Sequence, residues 1–519
     1  VVKTKGGRVF VGGIGAGASH ALTYVLEALG CRYLWPGELG KVIPKKDRIV
    51  LPDIALDYVP EFKIRYIRDE VPKMKNELAR LGIDAEAFGR HFRAVNRDAP
   101  GNREFMAWHG VNDGRNAKGA YAWGHYFGDY WDRFGKEHPE WFALQANGSR
   151  EQHLGDRKER PTLCLSNRAL AEQGAKDILA DFARHPNLYA HSICLPDGGY
   201  MGQCMCEACR KLDPVNAPSV PNHTCSPLWR SFPYVSLTDR VMTFNNRIAE
   251  AVTAAMPDRK LTCYVYSYYE KPPVAVKPHP ALVLLSVAGN YSRPDRGAVQ
   301  RNIAAWSTFG NELFWRPNAL IHWRVNLPKN FARPFFEDLE ALKVNNVIGT
   351  DISGFGRQWA NKGFVYYMVA KAHRNPDRLS YDALAADYFR AGFGPAAADV
   401  AAYFAALEEL GDDCATAGRN ANGYVEAFDV ERFAALLAKA KASAAGDATV
   451  LARIDFLARG LEFAKWEKRL AAAWKGGDRP KVRAVQDEYR AYVREHAFEN
   501  AIAVHPGWFG NTVESPNMK

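Results

Sequence analysis

Eight short apolar strands alternate with helical stretches over residues 59–376, which predicts an α/β chain centred on a (β/α)8 TIM-type barrel. A partial α/β domain at 1–58 precedes it, and a helical C-terminal domain at 377–519 follows, because strand signals stop near Pro376. The third observation is the stretch Tyr189–Asp213, YAHSICLPDGGYMGQCMCEACRKLD, where a buried-strand pattern opens into the turn Pro196-Asp197-Gly198-Gly199 and then a thiol cluster. A chain of 519 residues exceeds one ordinary core, so several domains are expected.

In chain order, Arg8–Gly13 reads as a strand, Gly17–Gly30 as an amphipathic helix closed by glycine, and Cys31–Trp35 as a second strand. The glycines of GGIGAG suggest a dinucleotide loop. That reading fails, because no acidic residue closes a second strand about 20 residues on. The barrel strands are expected at Phe62–Arg68, Phe105–Val111, Thr162–Leu165, Tyr189–Leu195, Leu261–Ser267, Leu282–Val287, Glu312–Arg316 and Val347–Asp351. Helices are expected at Asn167–Arg184, Leu237–Met256, Arg301–Phe309 and Phe335–Lys343, then at Tyr381–Ala391, Ala396–Leu410, Val430–Ala444, Val450–Trp474 and Pro480–His496.

Hydrophobic content of 47% with 24% charged residues is that of a globular protein. The net charge is +10, yet Lys and Arg are dispersed and form no run, so nucleic acid is not an expected partner. No apolar run reaches membrane-spanning length. The opening VVKTKGG lacks both an initiator Met and a leader pattern, so a trimmed signal peptide and a secreted or periplasmic location are expected. Nine scattered cysteines argue against a disulfide framework.

Polar and aromatic residues gather after the proposed strands, where barrels of this kind carry their chemistry. A substrate-binding set of His109, His125, Tyr266, Trp315, Asn318 and Trp359 suits sugars, whose hydroxyls need planar polar groups and whose ring faces need aromatic platforms. Cleaving a glycosidic bond takes two carboxyl groups. Asp197 and Asp351 are the first pair, with Glu70 and Glu270 in reserve. Burial of Asp351 behind an apolar strand would raise its pKa toward general-acid use. The alternative for each is an Asp satisfying its own turn or an ion pair. No G-x-S-x-G elbow, P-loop or H-E-x-x-H sequence occurs, and no cofactor is expected in catalysis. Cys204, Cys206 and Cys209 have the spacing of a structural zinc site, with Cys225 or His223 as fourth ligand.

The opening GASHALTYVLEALGCRYLWPGELGKVIPKK resembles the small domain that precedes the barrel in α-glucuronidases and family 20 hexosaminidases. The blocks TLCLSN, PDGG, CMCEACRKLD, FNNRIAEAVTAAMPDRKLTCYVYSYYEKPP, YYMVAKAHRNPD and DYFRAGFGPAA, in that order over residues 15–410, resemble the family labelled domain of unknown function 4838. That family is related to glycoside hydrolase family 163, so the resemblance implies a barrel and endo-β-N-acetylglucosaminidase action on glycans. Two departures put the identical mechanism in doubt. Many relatives carry Asn-Asp-Gly where this chain has Pro196-Asp197-Gly198, and some carry Glu where it has Asp351. The family 20 catalytic Asp-Glu dipeptide is absent.

The expected function is therefore a glycoside hydrolase acting on a glycan or polysaccharide, of β-N-acetylglucosaminidase type. Two alternatives stand beside it. One is hydrolysis of uronic-acid-containing glycans, suggested by Arg316, Arg357 and the positive charge. The other is a carbohydrate-binding protein without catalysis.

Overall fold

A computed structural model of the chain describes residues 1–68, 78–96, 102–112, 120–152, 161–197, 202–218, 235–289, 296–320, 326–356, 358–419 and 421–506. The first strands, β1 (Val2–Lys5) and β2 (Arg8–Val11), pair antiparallel around Gly6 and Gly7, whose φ angles of 57° and 71° suit residues without a side chain. A separate hairpin joins β3 (Arg32–Tyr33) to β4 (Lys41–Val42), and β5 (Ala55–Leu56) returns to the free edge of β1. The helix Gly17–Ala28 covers the small sheet, with Ala21 and Val25 packed on Val2 and Ile54. The strand expected at Cys31–Trp35 thus belongs to the hairpin.

Six strands make the central sheet: β6 (Ile64–Ile67), β7 (Ala190–Ser192), β8 (Lys260–Val265), β9 (Leu282–Ser286), β10 (Leu313–Trp315) and β11 (Val347–Ile352). Their order is β6-β11-β10-β9-β8-β7, and every pair is parallel. Strand β9, LVLLS, is buried throughout, as expected of a strand with parallel neighbours and a covered face on each side. Beyond β7 the segment 121–125 adds parallel bridges at Tyr121↔Ala190 and His125↔Cys194. The sheet curls far enough for Trp123, beside β7, to approach the opposite edge. Its ring lies 6.0 Å from Tyr66 on β6 and 5.3 Å from Phe314 on β10.

The expectation of eight barrel strands needs correction. Phe105–Val111 falls in the helix Arg103–His109, closed by Gly110 at φ 69°. Phe105, Met106 and His109 occupy one helical face, which a short apolar run does not distinguish from a strand. Thr162–Leu165 contributes one antiparallel bridge, Phe142↔Leu163. Eight parallel strands are therefore not found among the described residues.

Connecting helices at Arg168–Arg184, Thr238–Ala255, Ala298–Ser307 and Ala332–Leu342 lie close to where the sequence places them. Asn167 caps the first, its side chain accepting from the Leu170 amide at 3.0 Å. The helices Tyr381–Phe393, Ala397–Thr416, Val430–Ser443, Ala448–Lys475 and Arg479–Glu495 also match expectation. The longest of them is fastened to the N-terminal hairpin. Arg453 donates to the carbonyls of Leu39, Gly392 and Lys41 at 2.9, 2.8 and 2.8 Å, and Phe456 stacks on Trp35 with ring centroids 4.9 Å apart. None of the described helices is long and apolar enough to cross a membrane.

The helix Trp359–His373 escapes sequence prediction because 14 of its 15 residues are buried, which leaves no polar stripe and hence no 3.6-residue period. Its Lys362 donates to the Leu320 carbonyl at 2.9 Å. Burial, and then the nearby charge of Lys329, push the Lys362 ammonium down to about 7. Between that value and the ordinary lysine pKa of about 10.4 the unfolded chain binds more protons than the native one, so this residue makes stability rise with pH across that window. The contribution is lost as pH falls to about 7. Lys362→Met is expected to be more stable than the parent at neutral pH and to flatten the rise toward pH 9, by roughly a factor of ten in the folding equilibrium per pH unit. Urea midpoints measured at several pH values check this, and identical slopes in both proteins would refute it.

Candidate functional site

Along a parallel strand, alternate residues share a face. On β8 and its exit that face carries Thr262, Tyr264 and Tyr266; on β10 it carries Phe314 and Arg316, and on β11 Gly349 and Asp351. These side chains meet at the C-terminal end of the sheet, where open and closed β/α folds bind ligands. A Cβ on Gly349 would stand 2.8 Å from the Phe314 ring, so glycine is what lets β10 and β11 approach there.

Asp351 is fully buried, and two arginines converge on it. Arg68, just past β6, clasps it in a bidentate pair, Nε to Oδ1 at 2.8 Å and Nη2 to Oδ2 at 2.6 Å. Arg316 Nε lies 3.5 Å from the same Oδ2 without a hydrogen bond. Burial opposes the Arg68 charge, but the hydrogen bonds it donates to Asp351 and the attraction of that carboxylate outweigh it and raise its pKa. The carboxyl expected to serve as a general acid is therefore an ion-pair acceptor, the alternative that its sequence position also allows. The Arg316 guanidinium lies 4.9 Å above the Tyr264 ring, and its Nη1 donates to Asn318 Oδ1 at 2.7 Å. Burial pushes the Tyr264 hydroxyl up to about 12, so it stays a proton-bearing donor at neutral pH. His125 faces the same ring at 5.2 Å, and its Nδ1 bonds the Leu195 carbonyl.

Leu195 also borders an open cleft walled by Pro161, Thr162, Pro196, Gln203, Tyr266 and Tyr269. Asp197 follows this wall directly, part-exposed and within electrostatic reach of Tyr269. At the rim, Ser267 and Asn112 both hold left-handed backbone, φ 55° and 54°. Such conformations are strained in non-glycine residues and collect at binding sites. Asn112 compensates by accepting from the Ile67 amide at 2.7 Å, which caps β6.

The expected sugar-binding residues divide. His125, Tyr266 and Asn318 lie at the sheet's mouth or along the cleft. His109 is buried in packing, bonded to the Tyr33 carbonyl at 2.9 Å, tilted against Phe105 and edge-on to Tyr367; burial pushes it down to about 3. Trp315 points the opposite way from Arg316, donating to the Ala288 carbonyl at 2.8 Å and packing on Phe335. Trp359 is enclosed by Phe105, Phe355 and Tyr366. These three are core residues, although the sequence places each within or shortly after an expected strand. Arg68 and Tyr264 were missed, although strand alternation places both beside named residues. Glu70, Arg357, His223 and Cys225 lie outside the described residues.

The thiol cluster gains a member from elsewhere. Cys164 joins Cys204, Cys206 and Cys209, with all four sulfurs within 4.8 Å of one another. The sequence pattern places Cys164 in the expected strand Thr162–Leu165, away from the other three.

A family model described as domain of unknown function (DUF4838) matches residues 35–406. No curated protein matches the chain. Among solved structures, a family 89 glycoside hydrolase from Clostridium perfringens in complex with PUGNAc shares 10% identity at TM-score 0.44, over 94% of this chain and 60% of that one. The chain thus spans about 60% of that enzyme's length. An O-GlcNAc hydrolase mutant from Thermobaculum terrenum shares 10% at TM-score 0.32, covering 68% of this chain and 76% of its own. A GH138 enzyme targeting pectin rhamnogalacturonan II shares 11% at TM-score 0.43, covering 98% and 70%.

Proposed function

The chain belongs to the family described as domain of unknown function (DUF4838), and from that premise we propose that it is a glycoside hydrolase working at the C-terminal mouth of its parallel sheet. The observation that carries the reading is the convergence of Arg68, Tyr264, Arg316 and Asp351 from four strands beside an aromatic-walled cleft. In it, a sugar ring rests on the tyrosines of the wall, and the sheet completes a barrel around the mouth. Asp197 hands its proton to the departing glycosidic oxygen, water adds to the anomeric carbon in place of that bond, and the proton the water loses restores Asp197. Asp351, paired with Arg68 and Arg316, faces the positive charge that develops on the sugar. Glu70, two residues beyond Arg68, is a third carboxyl available to the same chemistry. The family resemblance favours a β-N-acetylglucosaminide in a glycan, met in a secreted or periplasmic setting.

A second reading rests on charge. Two guanidiniums share one carboxylate, and the buried Arg316 Nε has no hydrogen-bond partner, so the mouth holds an excess positive charge suited to a uronic acid carboxylate. Digestion of a glycan panel followed by mass spectrometry tests both. The first reading expects N-acetylhexosaminide products, the second uronide products. Glycan binding by the parent protein without any product release would refute hydrolysis and leave a carbohydrate-binding protein.

A further inference from the structure

We propose that Cys164, Cys204, Cys206 and Cys209 form a structural zinc site that fixes the wall of the cleft. Zinc bound by thiolates takes Zn–S distances of about 2.3 Å in a tetrahedron, whose edge is then about 3.8 Å. Cys164 Sγ lies 3.7 Å from Cys206 Sγ and 3.8 Å from Cys209 Sγ, spacings that fit such an edge and are far longer than the roughly 2.05 Å of a disulfide. All four cysteines are free thiols, and Cys164, Cys204 and Cys209 are buried.

The surroundings suit a dianionic metal–thiolate centre. The Leu144 amide donates to Cys204 Sγ at 3.3 Å and the Cys209 amide to Cys206 Sγ at 3.4 Å, and Ser166 Oγ stands 3.2 Å from Cys209 Sγ. Arg150, Arg240 and Arg247 all stand close enough for their charges to act on these sulfurs, and Arg240 also grips the Cys204 carbonyl at 2.7 Å. Without a cation, four clustered sulfurs could not all ionise. With one, the arginines offset the net negative charge. Four protein ligands close the coordination sphere, so the metal has no open position for substrate and its role is structural.

What the site joins gives it a purpose. Cys164 sits just before the helix Arg168–Arg184, whereas the other three belong to the loop beyond β7. Pro161, Thr162, Leu163 and Leu165 on one side and Gln203 on the other line the same cleft. The metal would hold these two segments together next to Asp197.

Elemental analysis of the purified full chain should find one zinc per chain. A mercurial that blocks thiols should release it to a zinc-binding dye. Cys164→Ser and Cys209→Ser should fall to background metal content, whereas Cys225→Ser should keep the full complement. Should the serine variants fail to fold, the parent protein grown with cobalt gives an independent reading, the thiolate charge-transfer and tetrahedral ligand-field bands of bound cobalt. Zinc-free parent protein, iron in place of zinc, a disulfide between any two of the four cysteines, or loss of zinc from Cys225→Ser would each overturn the assignment.

Discussion

Replacing Asp351 with alanine is expected to cost roughly 3–5 kcal/mol of stability as well as activity, because it strands buried arginine charge. Asp351 has no exposed surface, the Arg68 side chain is 28% exposed and that of Arg316 only 12%, so water can hydrate neither guanidinium well once the carboxylate is gone. A surface pair of the same geometry would be worth well under that amount. The urea midpoint should therefore fall sharply in Asp351→Ala and also in Asp351→Asn, which keeps the shape but loses the charge. Arg68→Met alone should cost less, because Arg316 still faces the carboxylate. A double-mutant cycle over Arg68 and Asp351 should return a coupling of the order of 1–3 kcal/mol. Unchanged midpoints in the Asp351 variants would show that the ion pair does not form. Stability loss also complicates any activity reading at this position, which is why the catalytic test is better made elsewhere.

What the sequence shows of this protein follows from how clearly each element alternates with solvent. The C-terminal helices Val430–Ser443 and Arg479–Glu495 were legible because each keeps one buried face and one exposed face. Strands β8 to β11 were legible as apolar runs between turn residues. The helix Trp359–His373 was not, since burial on all sides erases periodicity. Arg103–His109 was read as a strand because seven residues are too few to separate a period of 3.6 from an apolar run. The edge at 121–125 does alternate, as Tyr121, Trp123 and His125, but Gly124 between them reads as a break in a strand.

The site was legible at the level of location rather than identity. Choosing polar and aromatic residues at or near the ends of expected strands gives Asp351, Tyr266 and Asn318, which lie at the mouth or along the cleft, but also Trp315, one residue out of phase with Arg316. Side-chain phase on a strand depends on its register, and a one-residue error exchanges core for mouth. Cys164 shows a different limit. It lies 40 residues before Cys204, and only the folded chain brings the two together.

Asp197→Asn is expected to lower turnover by about 10²–10⁴-fold while shifting stability by less than about 0.5 kcal/mol. The side chain is part-exposed in the turn after β7, where solvent screens the loss of its charge. Stability and chemistry separate here in a way they do not at Asp351. The proposed role also fixes how the loss should depend on substrate. A general acid matters most when the departing oxygen is strongly basic, as in a sugar–sugar linkage, and least when it leaves readily, as in a nitrophenyl glycoside. The variant should accordingly retain much of its rate on activated aryl glycosides and almost none on the natural glycan, measured as kcat for both. An equal loss on the two would assign Asp197 to substrate positioning. Full activity on both would remove it from the site, leaving Glu70 as the carboxyl to replace next.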